Sequence, residues 1–111
     1  MTRATTPTHR FYFDTDPSLY EKILITYAQN YRIVLEKTKD DFVISEIDNP
    51  STGQKPFEAR YTLTQEETNM FSANREDDVQ IQVRVKTTAG EVLASTIKNV
   101  KVYEVLNDEV L

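Results

Sequence analysis

The chain has 111 residues, of which 39% are hydrophobic and 28% charged, with no cysteine and a formal net charge of -5. A chain of this length forms one domain that buries a core without disulfide or metal staples, and its composition is not that of a disordered segment. The lack of thiols excludes disulfides, thiolate zinc sites and cysteine nucleophiles; the acidic balance argues against nucleic acid as a partner; and no apolar run approaches the ~20 residues that span a bilayer.

Residues 1–8 read as a flexible N-terminal arm. The arm lacks the apolar stretch of a secretory signal, so the expected place of synthesis is the cytoplasm. The sandwich domain is expected over residues 9–103, followed by a tail over 104–111. Arg10–Asp14 offers Phe11 and Phe13 to an interior, and Lys22–Ala28 offers Ile23, Ile25 and Tyr27. Tyr31–Lys37 offers Tyr31, Ile33 and Leu35, with Gln29-Asn30 as a tight turn before it. Phe42–Ile47 is a shorter candidate strand, reached through a turn at Lys39-Asp40-Asp41.

A proline-containing loop, Asp48–Pro56, precedes the first clean alternation, Phe57–Leu63, in which Phe57, Ala59, Tyr61 and Leu63 share one face. Thr64 and Glu67 have the spacing of a capping box, which predicts one helical turn within Thr64–Phe71. Val79–Lys86 alternates again, with Val79, Ile81, Val83 and Val85 inward, and Ile81 and Val83 are expected at the centre of the core. Gly90 supplies the positive φ for a turn after Thr88-Ala89. The last strand, Glu91–Tyr103, changes parity between Leu93/Ile97 and Val100/Val102, which a β-bulge near Lys98-Asn99 would reconcile. About seven antiparallel strands joined by short turns describe an all-β, immunoglobulin-like antiparallel β-sandwich, with a small Greek-key barrel as the alternative.

Signals for chemistry are sparse. His9 is the only histidine, and it reads as a solvent-facing residue without a triad partner. Asp14 with Asp16, and the acidic run Asn74–Asp78, resemble calcium-loop ligands only in composition, so solvated turn acids are the expectation and no metal is assigned. Acid pairs across a cleft would suit glycoside hydrolysis, but a sandwich of this size offers little cleft. Arg84, Lys86, Lys98 and Lys101 are the residues from which a local basic face would be built. No catalytic or cofactor-binding residue is assigned, and the chain is expected not to be an enzyme. Of the six tyrosines, Tyr12, Tyr20 and Tyr103 fall on outward or terminal positions, where aromatics favour protein interfaces. In the tail, Val105, Leu106, Val110 and Leu111 are apolar and suited to docking, either on a neighbouring chain or back on this domain.

The stretch Tyr61-Thr-Leu-Thr-Gln-Glu-Glu-Thr-Asn-Met-Phe71, the strand Val79-Gln-Ile-Gln-Val-Arg-Val-Lys86 with its following glycine turn, and the closing Val105-Leu-Asn-Asp-Glu-Val-Leu111 carry a resemblance. The pattern resembles the N-terminal domain of phage baseplate upper proteins, among the small structural-gene products of temperate phages and prophages of Gram-positive bacteria. It covers the second half of the chain more closely than the first, and the loop at Asp48–Pro56 looks like an insertion. The resemblance implies a virion or baseplate β-sandwich that docks on other phage structural proteins or on copies of itself, without catalytic residues, cofactor, nucleic acid or membrane. It implies a protein made in the cytoplasm and incorporated into a virion. A bacterial immunoglobulin-like adhesion or carbohydrate-binding domain is the alternative.

Overall fold

The computed structural model describes residues 1–73 and 78–111. Its strands are β1 (Thr8–Phe13), β2 (Lys22–Gln29), β3 (Arg32–Thr38), β4 (Val43–Glu46), β5 (Phe57–Thr62), β6 (Val79–Lys86), β7 (Val92–Ala94) and β8 (Lys98–Val100), with one helical turn, α1 (Gln65–Thr68). They form two antiparallel sheets, a three-stranded one in the order β1-β5-β4 and a five-stranded one in the order β3-β2-β6-β7, where β8 also pairs with β6. In the immunoglobulin order, with strands ABED facing C′CFG, β1 to β7 take the places B, C, C′, D, E, F and G, and β8 continues G. The place of strand A, beside β1, holds no strand among the described residues.

The alternating runs bury the faces expected of them. Ile23, Ile25 and Tyr27 of β2, Ala59 of β5 and Val79 of β6 are buried, as are Leu63 and Phe71. Full burial of such an aliphatic or aromatic side chain stabilises a fold by about 1.5–3 kcal/mol. Ile81 is buried in the same core, as expected, whereas Val83 is only half-buried; both line the open side of the sandwich.

Two local expectations are met atom by atom, and a third is met in kind but at another place. The Thr64 hydroxyl accepts from the Glu67 amide at 3.1 Å while the Glu67 carboxylate accepts from the Thr64 amide at 2.9 Å, closing the capping box of α1. Gly90 has φ +88° in the turn that Thr87 and Glu91 close. The two halves of the last strand differ by one residue of register, because Ala94 faces Arg84 and Lys98 faces Ile81, four steps against three. The extra residue lies at Ser95–Ile97 rather than at Lys98-Asn99, and it divides the expected strand into β7 and β8. Ser95 holds the gap: its amide donates to the Val83 carbonyl at 2.8 Å, and its hydroxyl accepts from the Val83 amide at 3.0 Å.

β3 departs from the expected pattern. Its pairing with β2 shifts at Tyr27/Ala28, so that Leu35 faces Tyr27 and Ile33 faces Ala28. The bulge moves Val34 and Leu35 against the core and leaves Ile33 64% and Tyr31 100% exposed. The β2–β3 turn is Asn30-Tyr31, with φ of +51° and +60°, the conformation of a type I′ hairpin.

The ends of the chain are tied down. The sequence suggests a flexible arm over residues 1–8; in the structure Thr8 opens β1, and residues 1–7 bond to the body. Thr2 forms a parallel bridge with Tyr103, the Met1 ammonium donates to the Lys101 carbonyl at 2.8 Å, and the Thr5 amide donates to the Thr68 hydroxyl at 3.2 Å. No helix among the described residues is long and apolar enough to cross a membrane.

Candidate functional site

The open side of the sandwich is the candidate site. β1 is the edge of one sheet and β7–β8 the edge of the other, and between them lies a cleft of about 880 Å³. Phe11 and Phe13 from β1 face Val83, Val85 and Leu93 across it. The opposite side of the sandwich is bridged by the chain itself, where a 3₁₀ turn at Lys39–Asp41 carries β3 into β4 and Phe42 packs edge-on to Phe11 and Tyr61.

His9 is the main correction among the candidate residues. Instead of facing solvent, it points inward from β1: its Nδ1 lies 2.8 Å from the Tyr27 hydroxyl, and the two rings stack. Burial holds the His9 imidazole below its ordinary pKa, helped by the nearby N-terminal ammonium and by Lys98. Lys98 faces Ile81 across the β6–β8 pair, so its register position is on the cleft side. Lys98 and Lys55 both line the cleft, and neither forms an ion pair among the described residues. Among the described residues Asp14 is the one carboxylate on the lining.

Each remaining candidate has a definite place. Tyr12 is exposed on the cleft rim. Tyr20 is half-buried and packs on Phe13, so it belongs to the wall of the cleft rather than to an outward surface. Tyr103 is exposed, and its backbone is engaged by Met1 and Arg3. In the tail, Asn69 donates to the Asp108 carbonyl at 2.9 Å, Gln65 bonds both backbone groups of Leu111, and Arg3 pairs with Asp108 at 3.3 Å. These contacts lie on the chain's own α1 region. They leave Leu106 and Leu111 wholly exposed and Val105 and Val110 partly so.

The acidic candidates resolve differently. Asp16 caps a 3₁₀ turn at Pro17–Leu19 by accepting from the Ser18 hydroxyl and amide, and these bonds hold its carboxyl below the usual range. Asn74–Asp77 lie outside the described residues. Among the described residues no three His, Asp or Glu side chains are grouped as metal ligands. The basic quartet does not form one face: Lys86 pairs with Glu21 at 3.9 Å, and Lys98 lies on the cleft side.

One polar cluster escaped the sequence reading. Lys37 of β3, Tyr61 of β5 and Glu67 of α1 meet where the sheets converge, with Glu67 accepting from both of the others and the Lys37 ammonium 4.3 Å from the Tyr61 ring centroid. Burial alone would raise the Glu67 pKa, but the bonds from Lys37, Tyr61 and the Thr64 amide outweigh it and hold the carboxyl below its ordinary value. The cluster joins β3 to β5 and α1, and Lys37 is distant in sequence from the other two, which is why local spacing did not reveal it. It lies outside the cleft lining, so it clasps the two sheets rather than facing a ligand.

No protein-family model, curated protein or solved structure matches this chain.

Proposed function

We propose that this domain is a non-enzymatic module of a phage or prophage structural assembly, working through contacts with other proteins. The observation that carries the reading is the cleft between two unpaired strand edges, at the position where an immunoglobulin-like sandwich has its first strand. Unpaired edges over apolar surface are templates for another chain, and adding a strand to such an edge is a recurring mode of protein recognition. The resemblance of Tyr61–Phe71, Val79–Lys86 and Val105–Leu111 to the baseplate upper protein N-terminal domain supplies the setting. Synthesis in the cytoplasm followed by incorporation into a virion fits both.

The test is mass spectrometry of phage particles purified after induction of the strain that carries the gene. The expected result is this protein in amounts comparable to known structural components. Its absence from intact particles overturns the proposal.

A specific feature favours a second reading, the bacterial adhesion or carbohydrate-binding domain: the upper cleft is aromatic, with Tyr12 on its rim and Phe13 against Tyr20 in its wall. Sugar faces stack on such rings. Glycan-array binding that Tyr12→Ala abolishes would favour it over the first.

A further inference from the structure

We propose that the cleft is filled by segment Glu104–Leu111 of a second copy of this chain, laid in as an extended strand at the empty first position of the sandwich. The inference rests on the reading of the domain as an interaction module, and it names the partner.

Strand edges come first. β1 presents six residues with a strand on one side only, and Lys98–Val100 borders the cleft from the other sheet. An inserted strand satisfies the open backbone edge and covers the apolar floor in a single step.

The side-chain pattern comes second. Extended, the segment places Leu106, Asp108 and Val110 on one face, because side chains alternate with period two. The cleft offers both kinds of contact: Lys98 and Val100 share one face of β8, and Phe11 lines the cleft from β1. Asp108 set against Lys98 brings Leu106 and Val110 onto the apolar lining.

Charge gives the same answer. The segment carries Glu104, Asp108 and Glu109 and no cation, whereas Lys55 and Lys98 on the cleft have no carboxylate partner among the described residues. Within its own chain the segment's hydrogen bonds and ion pair leave Leu106 and Leu111 in water, so the segment has apolar surface still to bury. Two copies exchanging segments reciprocally form a closed two-fold dimer.

The experiment is sedimentation velocity over a concentration series on the full chain, a chain ending at Tyr103, Lys98→Glu, Asp108→Lys, and an equimolar mixture of the last two. The expected result is a dimer for the full chain and a monomer for the chain ending at Tyr103. Each charge reversal should weaken dimerisation at least tenfold, because it sets like charges against each other. The mixture should restore the dimer, since every cleft then meets a segment of opposite charge. Thermal melts of each variant confirm that it is folded. A full chain that is monomeric throughout, a dimer that survives loss of the segment, or a mixture that fails to rescue each overturns the inference. A monomeric chain that is nevertheless found in phage particles defeats only the strand exchange. A dimer that behaves as predicted but is absent from particles defeats only the proposed setting.

Discussion

His9 Nδ1 lies 2.8 Å from the Tyr27 hydroxyl, and the two rings stack with centroids 5.6 Å apart. This pair joins β1 to the buried strand β2 at the inner wall of the cleft, and it makes the fold sensitive to pH. Burial, then the N-terminal ammonium and Lys98, lower the His9 pKa from 6.5 in the native state. The unfolded chain therefore binds the proton first. The contribution of His9 is complete above about pH 6.5 and is lost as pH falls through the native pKa. Urea unfolding between pH 8 and pH 5 should show stability declining below about 6.5, and His9→Gln should flatten that decline. A decline of the same size in the variant would assign it to other groups.

The Lys37–Glu67 pair is largely covered, with side chains 14% and 13% exposed. Glu67→Gln keeps an acceptor for the capping box but leaves the Lys37 ammonium without its counter-charge. The expected cost is about 1–3 kcal/mol, read from urea midpoints at pH 7. Because the Glu67 pKa is depressed, its contribution is present above its ordinary value of 4.5 and fades as pH falls below it. Wild type and variant should converge in acid; a difference that persists undiminished at pH 3 would refute the assignment.

Tyr31 has φ +60° in a type I′ turn and is completely exposed, so its side chain adds no packing to offset the backbone strain. Tyr31→Gly should raise stability by about 0.5–1 kcal/mol, as glycine adopts this conformation without a Cβ clash. A lower melting point would show that the turn strain is not there.

The cleft also changes which core positions matter. Ile25→Ala, at a fully buried position, should cost about 2–4 kcal/mol, whereas Val83→Ala, on the cleft wall, should cost less than about 1.5 kcal/mol. The comparison is made in a chain ending at Tyr103, which has no segment to fill the cleft, and equal losses there would mean that the cleft closes on itself in solution.

Much of the sheet structure was legible because strand periodicity is local. The buried faces of β2, β5 and β6, the capping box at Thr64 and Glu67, and the glycine turn at Gly90 all follow from short stretches of sequence. The parity change in the last strand was legible too, but its position was not, because the Ser95 hydroxyl that bridges it replaces a backbone partner. Tyr31 and Ile33 were misplaced for a related reason: a bulge inverts parity, and nothing in Arg32–Thr38 alone announces one. The cleft itself was out of reach. It arises from the order in which strands pair, from β1 lying at an edge, and from Lys98 turning inward with its register. His9 and the Lys37–Tyr61–Glu67 cluster were hidden likewise, since Tyr27 is far from His9 and Lys37 is far from Tyr61 and Glu67 in sequence.

The central claim is that the edges of β1 and β8 receive a strand. Residue-resolved hydrogen–deuterium exchange of the full chain at low and high protein concentration tests it most directly. The account predicts slower exchange at high concentration for amides within Thr8–Phe13 and Lys98–Val100, and none of that gain in a chain ending at Tyr103. Protection unchanged by concentration at both edges, or gained instead along β3 and β4, would contradict it.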